Sequence, residues 1–260
     1  MSFGAFFDKL IGMKPIALIT GSGKRRVGSH IADALAARGY GLAIHYRTSA
    51  TEAEEAVARY RQQGLDAIAV RADLTDEAAV SALVQQTLAH FGRIDVLVNA
   101  AAAWRSKRLE DVSAADVQHY FATNTLSTFL CTQHVGLAMV KQAEGGSIIT
   151  IGDWAIERPY LNYAAYFPSK GAIPTLTRTF AVELGTRNPA IRVNSILPGP
   201  VMLPADLPQA EREQAINATL VKREGKPEHV AQAVLFFIDN DFVTGVCLPV
   251  DGGRTIYAPD

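Results

Sequence analysis

Ile16-Ala17-Leu18-Ile19-Thr20-Gly21-Ser22-Gly23-Lys24-Arg25-Arg26-Val27-Gly28 is the stretch on which the fold turns. A run of apolar and β-branched residues enters a glycine-rich turn, and a helical pattern from Ser29 to Arg38 follows at once. Strand, tight turn and helix start, in that order, bring free backbone N–H groups and the positive end of a helix dipole to one point. Gly21, Gly23 and Gly28 let the main chain approach an anion, and in this context the expected anion is the pyrophosphate of a nucleotide.

Outward from this turn, short apolar runs alternate with helical patterns to the end of the chain. Further strands are expected at Leu42–Tyr46, Ala67–Val70, Val96–Asn99, Ser147–Ile151, Arg192–Ile196 and Val246–Val250. Helices are expected at Glu52–Gln63, Glu77–Phe91, Ala114–Lys141, Ala165–Leu184 and Glu228–Ile238. Strands that are apolar throughout suit a parallel sheet covered on both faces. The expected class is therefore α/β, a doubly wound, Rossmann-type parallel sheet in one domain, residues 15–260. Residues 1–14, with Phe3, Phe6, Phe7, Leu10 and Ile11 at helical spacing, read as a leader, and Met13 is an alternative start. The proline-rich segment 197–225 breaks the rhythm and suits either a substrate loop or a plain surface excursion.

Composition removes several functions. A net charge of −1 lacks the basic footprint of a nucleic-acid binder. No apolar run is long enough to span a membrane. With two cysteines, Cys131 and Cys247, there is no disulfide framework, so a reducing cytoplasm is expected. No metal-ligand spacing is present.

Two further patterns carry chemistry. Where the second strand ends, His45-Tyr46-Arg47-Thr48-Ser49 offers a cation and hydroxyls, whereas a site for NAD would place an acid there. Arg47, with Arg25 or Arg26 from the loop, suits the 2′-phosphate of NADP(H). Later, Tyr166-Phe167-Pro168-Ser169-Lys170 sets a phenol and an amine on one helix face. An adjacent ammonium favours a phenolate, so the pair suits proton transfer.

Together these motifs resemble the short-chain dehydrogenase/reductase family, from Pro15 to Gly253. The resemblance implies that Thr20-Gly21 and Gly28 form the phosphate loop and that Asp73-Leu74 touch adenine. It makes Asn99-Ala100-Ala101 a cofactor segment, Asn124 part of a water relay, and Tyr166 and Lys170 the catalytic pair. Pro198-Gly199 would cover the nicotinamide, and relatives are dimers or tetramers. The departures are as telling. Arg25 and Val27 replace family glycines, Ala100 replaces an asparagine, and the serine expected thirteen residues before Tyr166 is Asp153.

Asp153, Lys24-Arg25, His45-Tyr46-Arg47 and Tyr163 are similar to the pteridine reductase-like subgroup, in which Trp104 would take the place of a stacking phenylalanine. The expected activity is NADPH-dependent hydride transfer to a C=N or C=O carbon of a small molecule, with Tyr166 giving the proton and Asp153, Trp104 and Tyr163 holding the substrate. A 3-oxoacyl thioester or carbonyl reductase is the alternative, and a non-catalytic NADP(H)-binding protein the second.

Overall fold

The computed structural model describes residues 14–257. The apolar stripe expected in the leader and the Met13 alternative start lie outside them. Seven parallel strands form one sheet in the order β3-β2-β1-β4-β5-β6-β7. They are β1 (Ile16–Thr20), β2 (Gly41–Tyr46), β3 (Ala67–Arg71), β4 (Val96–Asn99), β5 (Gly146–Ile151), β6 (Ile191–Pro198) and β7 (Cys247–Val250). β1 through β6 have no exposed residue except Arg71, as their unbroken hydrophobicity requires.

One face of the sheet is covered by α1 (Val27–Ala37), α2 (Ala50–Gln62) and α7 (Pro227–Asp239), whose Ile31, Leu35, Val57, Val234 and Phe237 share a core with the strands. Val80, Leu83, Leu130, Val135, Phe180 and Leu184 build the opposite core from α3 (Glu77–Phe91), α5 (Ser127–Met139) and α6 (Tyr166–Arg187). α5 and α6 cross closely at Gly136, where a Cβ would lie 2.4 Å from a Leu184 methyl. β7 ends the sheet, and its Pro249 is exposed, as suits a residue with no N–H on an edge strand.

Strand order reverses between β1 and β4, both starting from the middle of the sheet and winding outward. In open α/β sheets the crevice at such a reversal receives the ligand. Register brings Thr20 beside Asn99, Asn99 beside Thr150, and Ile151 beside Ile196, so the residues of interest gather at one edge.

The helix expected over Ala114–Lys141 is three pieces: α4 (Ala114–Tyr120), a π-helical turn (Phe121–Leu126) and α5. Hydroxyls compete for the backbone here. Thr123 donates to the His119 carbonyl at 2.8 Å, Ser127 to Thr123 at 2.6 Å and Thr128 to Asn124 at 2.7 Å. Conversely, α6 runs unbroken through Pro168 and Pro174. Pro174 removes the N–H that would bond the Lys170 carbonyl, and burial in the core holds the helix together around it.

Candidate active site

The glycine loop is held in place by its neighbours. Gly21 has φ +66°, and a Cβ there would come within 2.7 Å of the Ala101 backbone. A Cβ at Gly23 would meet Ser49 and Tyr46, and one at Gly28 would lie 3.0 Å from the Gly21 carbonyl. The loop therefore folds back tightly enough to form a cradle only with glycine at these positions. The Thr20 hydroxyl accepts from Ala100 N–H at 3.0 Å and Ala101 N–H at 3.1 Å, locking the turn after β4 to β1.

The His45 ring serves the same frame. It is buried, its Nδ1 accepts from Gly21 N–H at 3.0 Å, and its Nε2 then donates to the Ala72 carbonyl at 3.1 Å. Burial depresses it to about 4, so it stays neutral. The side chains of Ser49 and Asn99 turn inward likewise. Ser49 packs beneath Gly23, and the Asn99 amide donates to Thr132 at 3.0 Å, each buried and turned into the protein. A side chain at the end of a buried strand faces the core as readily as the crevice, and only the packing of the next element decides.

Arg47 and Thr48 are exposed at the β2 end, with Arg47 3.9 Å from Asp73. Asp73 is held below the usual carboxylate range by the N–H and hydroxyl of Thr75, and Leu74 beside it is buried. Arg26 is exposed and caps α1. Arg25 ion-pairs Asp33 of α1 at 2.5 Å, and Arg59 and Tyr60 crowd the same carboxylate. Burial pushes Asp33 up, but the Tyr60 hydrogen bond and both guanidinium groups outweigh it.

At the β5 end, Tyr166 at the start of α6 donates its hydroxyl to Asp153 Oδ2 at 2.8 Å. Asp153 Oδ1 accepts from Ala155 N–H at 2.9 Å, at the head of the short turn Trp154–Ile156. Burial, then the Asp153 carboxylate and its hydrogen bond, holds Tyr166 well above an ordinary phenol. Burial also raises Asp153. Lys170, one turn on, is buried, donates to the Ile151 carbonyl at 2.7 Å, and is drawn down to about 8 by burial, with Asp153 opposing. Lys170 was expected to govern the tyrosine; in this arrangement the carboxylate does so first.

Asn124 in the π turn is fully buried. Its side chain accepts from Ala103 N–H at 2.9 Å and donates to the Ala103 carbonyl and to Ser169, both at 3.0 Å. Both amide donors are thus used in fastening the segment after β4 to α6. Trp104 on that segment is 47% exposed and stacks on Tyr163, ring centroids 6.0 Å apart and planes 27° apart. Tyr120 and Tyr163 meet Tyr166 edge to face at 6.0 and 6.1 Å. Gly199 follows β6, where a Cβ would fall 2.5 Å from Asp251, so Pro198-Gly199 lies tight against the β7 end.

A glycine loop at the sheet reversal and a Tyr–Lys pair beyond the end of β5 lie along one edge of the sheet. The enoyl-(acyl carrier protein) reductase family model matches residues 22–255. The chain belongs to the short-chain dehydrogenase/reductase family. It is an oxidoreductase, and the family uses nicotinamide cofactors. This family member is similar to a 3-oxoacyl-[acyl-carrier-protein] reductase of Synechocystis sp. (34% identical; 93% of this chain, 97% of the relative). It is similar also to pteridine reductase 1 of Leishmania tarentolae (32%; 93% and 96%). Among solved structures it matches a blue fluorescent protein from a metagenomic library in complex with NADPH (TM-score 0.85, 31% identical; 93% and 98% covered). No helix among the described residues is long and apolar enough to cross a membrane.

Several residues of this dehydrogenase/reductase site escaped sequence reasoning. Thr20 was read only as part of the phosphate loop, and its fastening of the turn after β4 was missed. Trp154 and Tyr160, stacked at 6.1 Å, and Ser169 carried no signal, because they matter only once distant segments meet.

Proposed function

We propose that this short-chain dehydrogenase/reductase reduces a C=N or C=O carbon with NADP(H), and that a pterin-like bicycle is the substrate. The observation that carries the reading is the 2.8 Å bond from the Tyr166 hydroxyl to Asp153 above a buried Lys170. A phenol kept above its ordinary range holds its proton until a partner develops negative charge, which suits an acid in reduction. Lys170 supplies the positive charge that steadies the resulting phenolate, and Asp153 accepts from a substrate N–H or orients the reacting edge.

The dinucleotide fits the residues present. Gly21, Gly23 and Gly28 let the loop fold back against Ala101, Tyr46 and itself, where a Cβ would collide, the start of α1 offers N–H groups, and Arg47, Thr48, Arg25 and Arg26 suit the 2′-phosphate. When bound, the nicotinamide supplies the hydride. Ala100, Ala101, Pro198 and Gly199 line its end of the crevice and Asp73 the other. The exposed face of Trp104, lying along Tyr163, suits a flat ring, where aromatic contact adds about 0.5–1.5 kcal/mol beyond burial. The likeness to the Leishmania pteridine reductase supports this choice, and that to the Synechocystis enzyme favours a 3-oxoacyl thioester instead. A pure NADP(H)-binding protein has no use for a buried lysine beside a phenol. We further propose a cytoplasmic homodimer or homotetramer. The unpaired Cys131 and Cys247 suit a reducing compartment, and exposed Phe129, Leu137 and Val182 suit contact between copies.

Purified enzyme with NADPH, assayed on dihydrobiopterin and on an acetoacetyl thioester, tests the substrate. Asp153→Ser should lower pterin reduction while sparing or raising the thioester, and Trp104→Ala should weaken the pterin more. Parallel changes in kcat/KM for both would remove the pterin reading.

A further inference from the structure

The segment that follows β7 brings cations to the mouth of the crevice. Trp154 is buried in the same aromatic cluster as Tyr166, Tyr120 and Phe167. Over its ring sits the guanidinium of Arg254, 5.0 Å from the centroid. The Arg158 guanidinium anchors that segment, donating to the Arg254 carbonyl at 2.9 Å and to the Tyr257 carbonyl. Lys222, from the end of the proline-rich loop, lies 4.6 Å from the Tyr257 ring. That loop docks here: Leu220 N–H donates to the Gly252 carbonyl at 2.8 Å, and a Cβ at Gly253 would meet Leu220 at 2.7 Å.

Among the described residues no carboxylate lies within ion-pair reach of Arg254 or Arg158, and no acceptor takes a hydrogen bond from the Arg254 side chain. The carboxylate nearest to Arg254 in sequence, Asp251, spends its oxygens on Gly253 N–H at 2.9 Å and Thr255 N–H at 2.6 Å. Arg254 is nonetheless half-buried, and both burial and the charge of Arg158 disfavour its ionised form. A guanidinium cannot escape by losing its proton at neutral pH, so such a site is relieved by an anion. Contact with the indole uses the charge and leaves the N–H donors free for a planar, two-oxygen partner.

We infer that Arg254 is a specificity-determining residue that receives a substrate carboxylate across Trp154 from the reacting carbon. The inference rests on the reductase reading of the Tyr166 site and names the class of substrate it takes: a carbonyl or imine compound whose far end carries a carboxylate. Leu220, Val221 and Ile256, all exposed at this rim, suit the apolar body between the two ends. Arg158 is a positioning residue for the segment.

The test uses 4-acetylbenzoate and methyl 4-acetylbenzoate, which differ only in that charge, with NADPH. Wild-type enzyme should favour the acid about tenfold in kcat/KM, mostly through KM, as loss of one charge-assisted pair implies. Arg254→Gln should bring the ratio to about one, and Arg254→Lys should keep part of it. An unchanged ratio in Arg254→Gln overturns the inference. If neither ketone is reduced, the reductase substrate range is at fault, and binding decides instead. Terephthalate should raise the Tm of NADPH-loaded wild type and Arg254→Lys but not of Arg254→Gln, and equal shifts in all three, or none in any, overturn it.

Discussion

The glycine loop and the Asp153–Tyr166 pair sit at the same edge of one sheet, yet they are held by opposite means. Around Gly21 the groups that frame the loop are paired: Thr20, His45 and the turn after β4 satisfy one another at 3.0 to 3.1 Å. At the other place, Lys170, Tyr166 and Asp153 are each shifted by burial toward the uncharged form. The loop is folding in the service of shape. The pair is an electrostatic cost that the rest of the fold supports, which is what reactive groups demand.

The sharpest way to break this contrast is Tyr166→Phe. It should lower turnover by about 10²–10⁴-fold, the usual worth of a positioned acid, while NADPH affinity measured by fluorescence titration stays nearly unchanged. Substantial residual turnover would take the phenol out of the chemistry.

Lys170→Met should show the cost directly. The lysine is drawn from an ordinary 10.5 to about 8, so below pH 8 its charged form opposes folding by about 3 kcal/mol. Between pH 8 and 10.5 the unfolded chain binds the additional proton, and wild-type stability should rise with pH. Lys170→Met should abolish activity, melt higher at pH 7, and lack that rise. A lower melting temperature would mean that the bond to the Ile151 carbonyl outweighs burial.

For the loop the expectation reverses. Gly21→Ala should cost about 2 kcal/mol in denaturant unfolding, from a positive φ plus the collision with Ala101. Gly92→Ala has a similar φ of +80° but open space, and should cost about 1 kcal/mol. Equal losses would show that the loop has room to relax.

The smallest effect is expected from Arg47→Asp. NADPH should bind wild type about tenfold tighter than NADH, and the substitution should narrow or invert that ratio. A wild type that prefers NADH would remove the 2′-phosphate reading.

The same contrast explains what could be read before any coordinates. Parallel strands and the glycine turn are written locally, in unbroken apolar runs and in residues that tolerate unusual backbone. Tyr166 and Lys170 were legible because helical spacing joins them. Asn124 was found as a residue, but the π turn around it was not, since helix periodicity does not register a single widened turn; the hydroxyls of Thr123, Ser127 and Thr128 were the available clue. The inward turn of the His45, Ser49 and Asn99 side chains was not legible, because strand position alone does not say which way a side chain turns. Arg254 was invisible, being a surface arginine until Trp154 meets it from a hundred residues away.

Pro249 has a consequence beyond its place in β7. Ser195 N–H and Gly199 N–H reach the carbonyls of Val246 and Val250, so alternate residues of the last strand turn toward β6 and Pro249 turns away. An incoming strand would find only Cys247 offering a main-chain donor on that margin. A ladder between two molecules would have one donor fewer here, at Pro249. Association through this margin would lean more on side chains, so surface substitutions would tune it without touching the backbone ladder.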